Sequence, residues 1–174
     1  MKINLSDQVL AEIGKIVVIF SLIEQSLSEI IGAIVTVGGR HRALGTVVTA
    51  DLSFGQRVST LNSLLLLALP SDHEAVAEFN MLRPILFDAE QKRNAVVHSV
   101  WGKSERAADE HTLVRWKVTA KSRRGLRQDF EKTTLQDLEG TARTIGKAYS
   151  ELCKFESRFR PDPESDQPTL AGQG

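Results

Sequence analysis

The feature that most constrains the fold is an apolar pattern of three- and four-residue steps that runs from Leu10 to Ile34. Such steps place the apolar side chains on one face of a helix. Ser6 or Asp7 stands where the N-cap of this helix is expected, and the pair Gly38–Gly39 follows where the helix should end. We therefore expect a long amphipathic helix near the start of the chain.

The apolar stretch from Ile16 to Val37 raises the question of a membrane span. It carries Glu24, Gln25 and Glu29 in its middle, and an ionised side chain at the depth of the bilayer core costs several kcal/mol. The first dozen residues contain acids and lack the apolar core and cleavage site of a signal peptide. We therefore expect a core helix of a cytoplasmic protein, with no membrane segment.

Three more helices are expected before residue 101. The pattern predicts a short helix over residues 40–48, a second over 53–69, and a third that opens at Ser71. Pro84 must kink this third helix or begin a new one, because proline has no backbone N–H to donate. In either case residues 85–100 are expected to be helical.

Two alternating segments then predict a β-hairpin over about residues 112–133. Residues 112–120 alternate and are rich in β-branched types, KSRRG supplies a turn, and residues 126–134 return. Thr134 and Asp137 have capping-box spacing at the start of a last helix. A small antiparallel sheet is therefore expected beside the helices.

Length and composition set the number of domains and exclude some classes of partner. The chain has 174 residues, of which 41% are hydrophobic and 25% charged, as in one globular domain. Its 22 basic residues balance 22 acidic ones, so no net field attracts nucleic acid or a membrane from a distance. We predict a mainly α fold: one domain over residues 1–159, an up-and-down bundle of four to five helices with a small β-hairpin before the last helix. A disordered tail is expected over residues 160–174.

The segment QKRNAVVHSVW, residues 91–101, puts Arg93, Asn94 and His98 into an otherwise apolar helix. Asn94 and His98 are four residues apart and share a face, which Glu90 continues one turn earlier. Arg93 and His98 are about 140° apart around the helix. To converge, they need a curled arginine stem, a helix that ends near His98, or a second copy of the helix.

A matching irregularity lies on the first helix. Arg93 takes a position that the apolar pattern reserves for the core, and Glu24 takes an equivalent position on its own helix. Burying either charge alone is costly, whereas a hydrogen-bonded pair is tolerated. Our hypothesis is that Glu24 faces the helix of Arg93 and His98 and pairs with one of them.

These residues carry a resemblance to a known family. RNAVVH resembles the R-x-x-x-x-H motif of the HEPN superfamily, and FSLIEQSLSEIIG is similar to the first helix of those proteins. The resemblance covers about Ile16 to Trp101. It implies a metal-independent endoribonuclease, usually a homodimer whose two motif helices face each other across a cleft, in a prokaryotic toxin–antitoxin or defence system.

The resemblance also implies roles for the three motif residues. Arg93 would bind or stabilise the scissile phosphate, Asn94 would help to position it, and His98 would act as acid or base at the 2′-hydroxyl or the leaving oxygen. An RNA strand can attack its own phosphate through the 2′-hydroxyl. A titratable imidazole and a planar cation are therefore sufficient without a metal.

Cations of the hairpin and one tryptophan are further candidates for RNA binding. Trp101 follows the motif helix and would stack on a base, or else belong to the core or a dimer contact. The hairpin cations would bind RNA phosphates, or else form a solvated edge that resists aggregation. These cations are Arg115, Lys117, Lys121, Arg123, Arg124 and Arg127.

A metal site, a cofactor and catalysis itself were each weighed against simpler interpretations. The histidines at positions 41, 73 and 111 are scattered without metal-ligand spacing, so neither a metal nor a cofactor is expected. An arginine and a histidine near a helix C-terminus are also favoured by the helix dipole alone. The alternative function is a non-catalytic helical module that binds RNA, a nucleotide or a protein partner, such as an antitoxin, in the same cleft.

The hypothesis that Glu24 pairs with the motif helix predicts coupling between two substitutions. The Glu24→Gln and Arg93→Gln variants should each lose stability, and the double variant should lose less than their sum by about 0.5–3 kcal/mol. Urea denaturation of the four proteins measures this difference. Strict additivity would contradict the pairing with Arg93.

Overall fold

A computed structural model describes residues 5–36, 42–68, 73–103, 113–121 and 125–159 of the chain. The mainly α fold is confirmed: the described part contains five helices and a small three-stranded antiparallel sheet before the last helix. The helices are α1 (Asp7–Val35), α2 (Arg42–Thr49), α3 (Phe54–Ala68), α4 (His73–Val97) and α5 (Leu135–Glu156). The strands are β1 (Val100–Lys103), β2 (Leu113–Lys121) and β3 (Gly125–Thr133), and the turn Ser157–Phe159 follows α5.

Side chains close the start of three helices, and those at Ser6 and Thr134 were predicted above from the sequence. Ser6 Oγ accepts a hydrogen bond from the backbone N–H of the third helical residue of α1. Ser53 and Gln56 exchange hydrogen bonds at the start of α3. Thr134 donates to Asp137 through its N–H and its hydroxyl, at 2.8 Å each, and these bonds lower the pKa of Asp137. The predicted boundary residues at 38–39 and 70–71 and the predicted tail lie outside the described residues.

The sheet contains one strand more than the predicted hairpin. β2 and β3 form that hairpin, and β1 pairs antiparallel with β2, so that Trp101 lies opposite Arg115. The prediction that the helix continues to about Val100 is wrong, because α4 ends at Val97 and Val100 belongs to β1. A strand of four residues directly after a helix is too short to show a period of two.

α4 continues through Pro84 without a break in its assignment from His73 to Val97. The alternative in which Pro84 begins a new helix is therefore wrong. The missing N–H of proline removes one hydrogen bond of the helix, and Pro84 is exposed to solvent. Arg93 and Asn94 thus belong to the same helix that opens near residue 73.

The chain divides into two compact units, Met1–Glu24 with Met81–Glu151, and Gln25–Asn80 with Leu152–Gly174. The first contains the sheet, and its buried side chains include Ile16, Phe20, Leu86, Leu138 and Ile145. The second contains α2 and α3, and its buried side chains include Ile30, Phe54, Leu61, Phe79 and Phe155. Most of the predicted apolar face of α1 is buried, although Leu10 and Val17 are exposed.

α1 is long and apolar enough to cross a membrane by length and composition alone. Half of its most apolar window is buried inside the structure, and the core helix of a soluble protein passes the same test. The fold is therefore compatible with a soluble protein.

In the second unit, α2 lies against α1 at small residues. Thr49 Oγ1 lies 2.7 Å from both Ser28 Oγ and the carbonyl oxygen of Gly45. A Cβ added at Gly45 would lie 1.9 Å from the backbone oxygen of Ser28 and 2.8 Å from the nitrogen of Gly32. Only a glycine at position 45 permits this approach of the two backbones.

Substitution of this glycine should therefore be much more damaging than substitution of an exposed one. Gly45→Ala should lower the free energy of unfolding by about 3 kcal/mol, because the backbone atoms that it meets cannot move aside without separating the helices. Gly14→Ala is the matched control on α1. A Cβ there meets nothing within 4 Å, and it should stabilise the helix by about 0.5–1 kcal/mol. Equal effects in thermal denaturation would contradict this packing.

Candidate functional site at the end of the motif helix

The last turn of α4 is closed by side chains rather than by further helix. Arg115 Nη1 of β2 donates to the carbonyl oxygen of Ala95 at 2.8 Å, and Ser99 Oγ donates to the same oxygen at 2.6 Å. Trp101 Nε1 of β1 donates to the carbonyl oxygen of Val96 at 2.9 Å. The last carbonyls of a helix have no partner within it, so these three donors stabilise its end.

A cleft of about 610 Å³ lies between this helix end and the sheet, and we call it the α4–β2 cleft. It is lined by Glu90, Gln91, Asn94, Ala95, Ser99, Arg115, Lys117 and Glu131. Of the residues singled out from the sequence, the cleft brings together Glu90, Asn94, Arg115 and Lys117. Two cations and two carboxylates therefore line the cleft, and Arg115 and Glu131 are paired with each other.

Arg93 lies beside the cleft and is half-buried. Its Nη1 donates to Asn94 Oδ1 at 2.8 Å, and its guanidinium carbon lies 4.8 Å from the centre of the Phe20 ring of α1. A cation over an aromatic face is attracted by the ring quadrupole. Arg93 Nε is buried and has no hydrogen-bond partner among the described residues. The guanidinium is thus held against α1, where it orients the Asn94 amide.

Glu24 and Arg93 both act on the carboxyl group of Glu90. Burial raises the pKa of Glu90 above its ordinary value; the Arg93 guanidinium opposes this rise, the Glu24 carboxylate adds to it, and a hydrogen bond with Asn94 opposes it. The acidic residue of α1 and the arginine of α4 therefore converge on one carboxyl group in the cleft.

His98 lies apart from the cleft. It occupies the turn after α4, its backbone N–H donates to the carbonyl oxygen of Asn94 at 3.1 Å, and its side chain is exposed. One of the three ways in which Arg93 and His98 could converge was a helix that ends near His98, and α4 does end there. The Arg93 side chain, however, is directed to Asn94. The described chain therefore brings Arg93 and Asn94 together and leaves His98 outside the cleft.

The hairpin cations are placed only in part. Arg115 is bonded both to Ala95 and, through Nη2, to Glu131. Lys117 is exposed at the cleft. The guanidinium and ammonium groups of Lys121, Arg123, Arg124 and Arg127 lie outside the described residues.

Four residues of the cleft were not singled out from the sequence: Gln91, Ala95, Ser99 and Glu131. The sequence could have indicated Glu131, because the hairpin register places it opposite the candidate residue Arg115. Ser99 had no such signal, since its role depends on where α4 ends. The indole N–H of Trp101 donates to the end of α4, so this bond fixes the ring against the helix end.

No group of three or more His, Cys, Asp or Glu side chains within the described residues could hold a metal ion. No protein-family model, curated protein or solved structure matches the chain. The chemistry of the site is therefore inferred from the cleft and the residues around it.

The raised pKa of Glu90 predicts a stability that depends on pH. A raised pKa means that the folded state binds the proton more tightly than the unfolded state, so ionisation of Glu90 destabilises the fold as the pH rises above 4.5. Glu90→Gln should therefore increase the free energy of unfolding at pH 7 and have little effect below pH 4. Urea denaturation at both pH values checks this, and an equal gain at both would contradict it.

Proposed function

We propose that the chain is a HEPN-like, metal-independent endoribonuclease whose substrate enters the α4–β2 cleft. The proposal is supported mainly by one observation. Asn94 lines the same cleft as two cations of the sheet, Arg115 and Lys117. His98, whose side chain is exposed, lies in the turn that follows α4. Arginine and lysine side chains that line a cleft can bind a phosphodiester, and an exposed imidazole can exchange protons with it once a substrate or a second copy brings the two together.

The proposed chemistry uses the 2′-hydroxyl of the RNA as the nucleophile. His98 removes the proton from the 2′-hydroxyl, or donates one to the leaving 5′-oxygen, and the scissile P–O bond breaks as a cyclic phosphate forms. Arg93 stabilises the charge on the equatorial phosphate oxygens, and Asn94 positions the phosphate. Glu90, through Asn94 and Arg93, maintains the geometry of the pair.

We propose a homodimer because one copy does not bring Arg93 and His98 to one atom. The motif helix of a second copy would provide the missing group. Val97 and Val100, on either side of His98, are 38% and 50% exposed. Exposed apolar side chains around a polar residue are typical of a surface that a partner covers.

The biological setting follows from the HEPN resemblance. We propose a prokaryotic toxin–antitoxin or defence system in the cytoplasm, with an antitoxin protein as a further partner. A solvent-exposed His98 is a group that such a partner could cover to inhibit cleavage.

A non-catalytic binding module is the second candidate. It is favoured by the contacts of Arg93, whose guanidinium bonds to Asn94 and lies over Phe20. In this case the cleft binds RNA, a nucleotide or a protein partner, and Arg93 serves the fold.

RNA cleavage in the presence of EDTA distinguishes the two candidates. The wild-type protein should cut RNA in EDTA, and Arg93→Ala and His98→Ala should each reduce the rate at least about 100-fold. Arg83→Ala, nearly three turns earlier on α4, is the matched control and should retain the wild-type rate. A site shared between subunits also predicts that an equal mixture of the two inactive variants recovers roughly a quarter of the activity.

Intact RNA after incubation with the wild type, or equal cutting by His98→Ala, would contradict the nuclease proposal. Cleavage that stops in EDTA would instead indicate a metal-dependent enzyme. Relief of toxicity on expression by His98→Ala would support the proposal in cells.

A further inference from the structure

RNA cleavage inside the α4–β2 cleft requires a group that accepts the proton of the 2′-hydroxyl. His98 lies apart from this cleft, in the turn after α4. Arg115 and Lys117 line the cleft as cations, and a charged guanidinium or ammonium has no lone pair with which to accept a proton. The other titratable groups among the described residues of the lining are the carboxyl groups of Glu90 and Glu131.

The two carboxyl groups differ in their partners. Glu131 forms an ion pair with Arg115, and a neighbouring positive charge makes a carboxylate a weaker base. Glu90 is hydrogen-bonded to the neutral amide of Asn94. A neutral donor stabilises the ionised carboxylate less than a guanidinium does. Glu90 is therefore the better proton acceptor of the two.

A chain of hydrogen bonds orients the Glu90 carboxylate. Arg93 Nη1 donates to Asn94 Oδ1 at 2.8 Å, so the Asn94 NH₂ group is the donor in the bond to Glu90. The Arg93 guanidinium lies over the Phe20 ring and anchors this chain at α1. An amide NH₂ group has two N–H donors, so Asn94 can hold Glu90 and contact a phosphate at the same time.

The environment of Glu90 strengthens it as a base. The charged groups around it are Arg93 of the same helix, Glu24 of α1, Arg115 and Lys117 of β2, and Glu131 of β3. Burial raises the pKa of Glu90 and the Glu24 carboxylate adds to this rise, whereas Arg93 and the bond with Asn94 oppose it. The net change is upward. A general base is most effective when its pKa approaches the pH of the reaction.

We propose that Glu90 is the general base of the α4–β2 cleft and that His98 acts only as the general acid. This inference rests on the proposed function and deepens it, because it assigns the two proton transfers to two different residues. Arg93 and Asn94 then also position the carboxylate of Glu90.

Protons and bonds balance in this assignment. A carboxylate oxygen of Glu90 takes the proton of the 2′-hydroxyl while the 2′-oxygen bonds to phosphorus, and the bond from phosphorus to the 5′-oxygen breaks. The protonated imidazole of His98 gives its proton to the 5′-oxygen, which leaves as an alcohol, and a cyclic phosphate remains. The attacking and leaving oxygens lie on opposite sides of phosphorus. An acid outside the cleft that holds the base is consistent with this geometry.

The pH dependence of kcat/KM for RNA cleavage in EDTA tests the assignment. The wild-type profile should be bell-shaped, with an acidic limb set by ionisation of Glu90 and a basic limb set by loss of the His98 proton. Glu90→Gln should reduce kcat/KM at pH 7 at least about 100-fold and abolish the acidic limb. Asp88→Asn removes a carboxylate of the same helix that does not line the cleft, and it should keep the wild-type rate and profile.

A substrate with sulfur in place of the bridging 5′-oxygen distinguishes the base from the acid. A thiolate leaves without a proton from the enzyme, because a thiol is far more acidic than an alcohol. This substrate should restore cleavage by His98→Ala at least about 100-fold, and it should leave Glu90→Gln as slow as on ordinary RNA. Rescue of Glu90→Gln would overturn its role as the base.

The Glu24→Gln variant provides a test that leaves the base in place. It removes a negative charge that raises the pKa of Glu90, so the acidic limb should move to lower pH. An acidic limb that stays in place or moves upward would overturn Glu90 as the group that sets it. This test and the wild-type profile do not depend on whether Glu90→Gln folds.

The inference and the proposed function can fail separately. Cleavage by Glu90→Gln at the wild-type rate, or an equal loss in Asp88→Asn, would overturn Glu90 as the base while the nuclease stands. A wild-type rate that does not fall on the acidic side would do the same. RNA that stays intact with the wild type would overturn both.

Discussion

The site depends on how the end of α4 is closed. Arg115, Ser99 and Trp101 donate to the carbonyl oxygens of Ala95 and Val96, and two of these donors come from the sheet. Because unpaired carbonyls at a buried helix end are costly, these bonds hold β1 and β2 against the motif helix. The α4–β2 cleft is formed between the end of α4 and the sheet. Its two cations, Arg115 and Lys117, both belong to β2, the strand whose Arg115 bonds to the helix end.

α1 acts on the charges of the motif helix in two opposite ways. The Phe20 ring attracts the Arg93 guanidinium, whose carbon lies 4.8 Å from the ring centre, whereas the Glu24 carboxylate disfavours the ionised form of Glu90 one turn before Arg93. An ionised group in this setting is tolerated only with opposite charges and hydrogen bonds around it. The contacts that keep Arg93 in place occupy part of its hydrogen-bonding capacity, which limits the donors that it could offer to a phosphate in the proposed function.

The sequence predicted the helices well because helix periodicity and N-caps are local signals. The pairs Ser53 with Gln56 and Thr134 with Asp137 lie three residues apart, and the structure forms both boxes. The site was harder to predict, because the bond from Arg115 to Ala95 spans twenty residues of sequence. β1 escaped prediction for a related reason: its identity as a strand depends on pairing with β2, which no short window of sequence contains.

Arg115 joins the end of α4 to Glu131 of β3 through the two terminal nitrogens of its guanidinium. Nη1 bonds to the backbone of α4, and Nη2 bonds to Glu131, whose side chain is 62% exposed. The Arg115 side chain is only 18% exposed, so both bonds hold a largely buried guanidinium in place. If the α4–β2 cleft binds a phosphate as proposed, the bond from Arg115 to Ala95 can remain and keep the end of α4 closed. A lysine at position 115 would not hold the Ala95 carbonyl and the Glu131 carboxylate in the same way, because an ammonium lacks the rigid planar fork of a guanidinium.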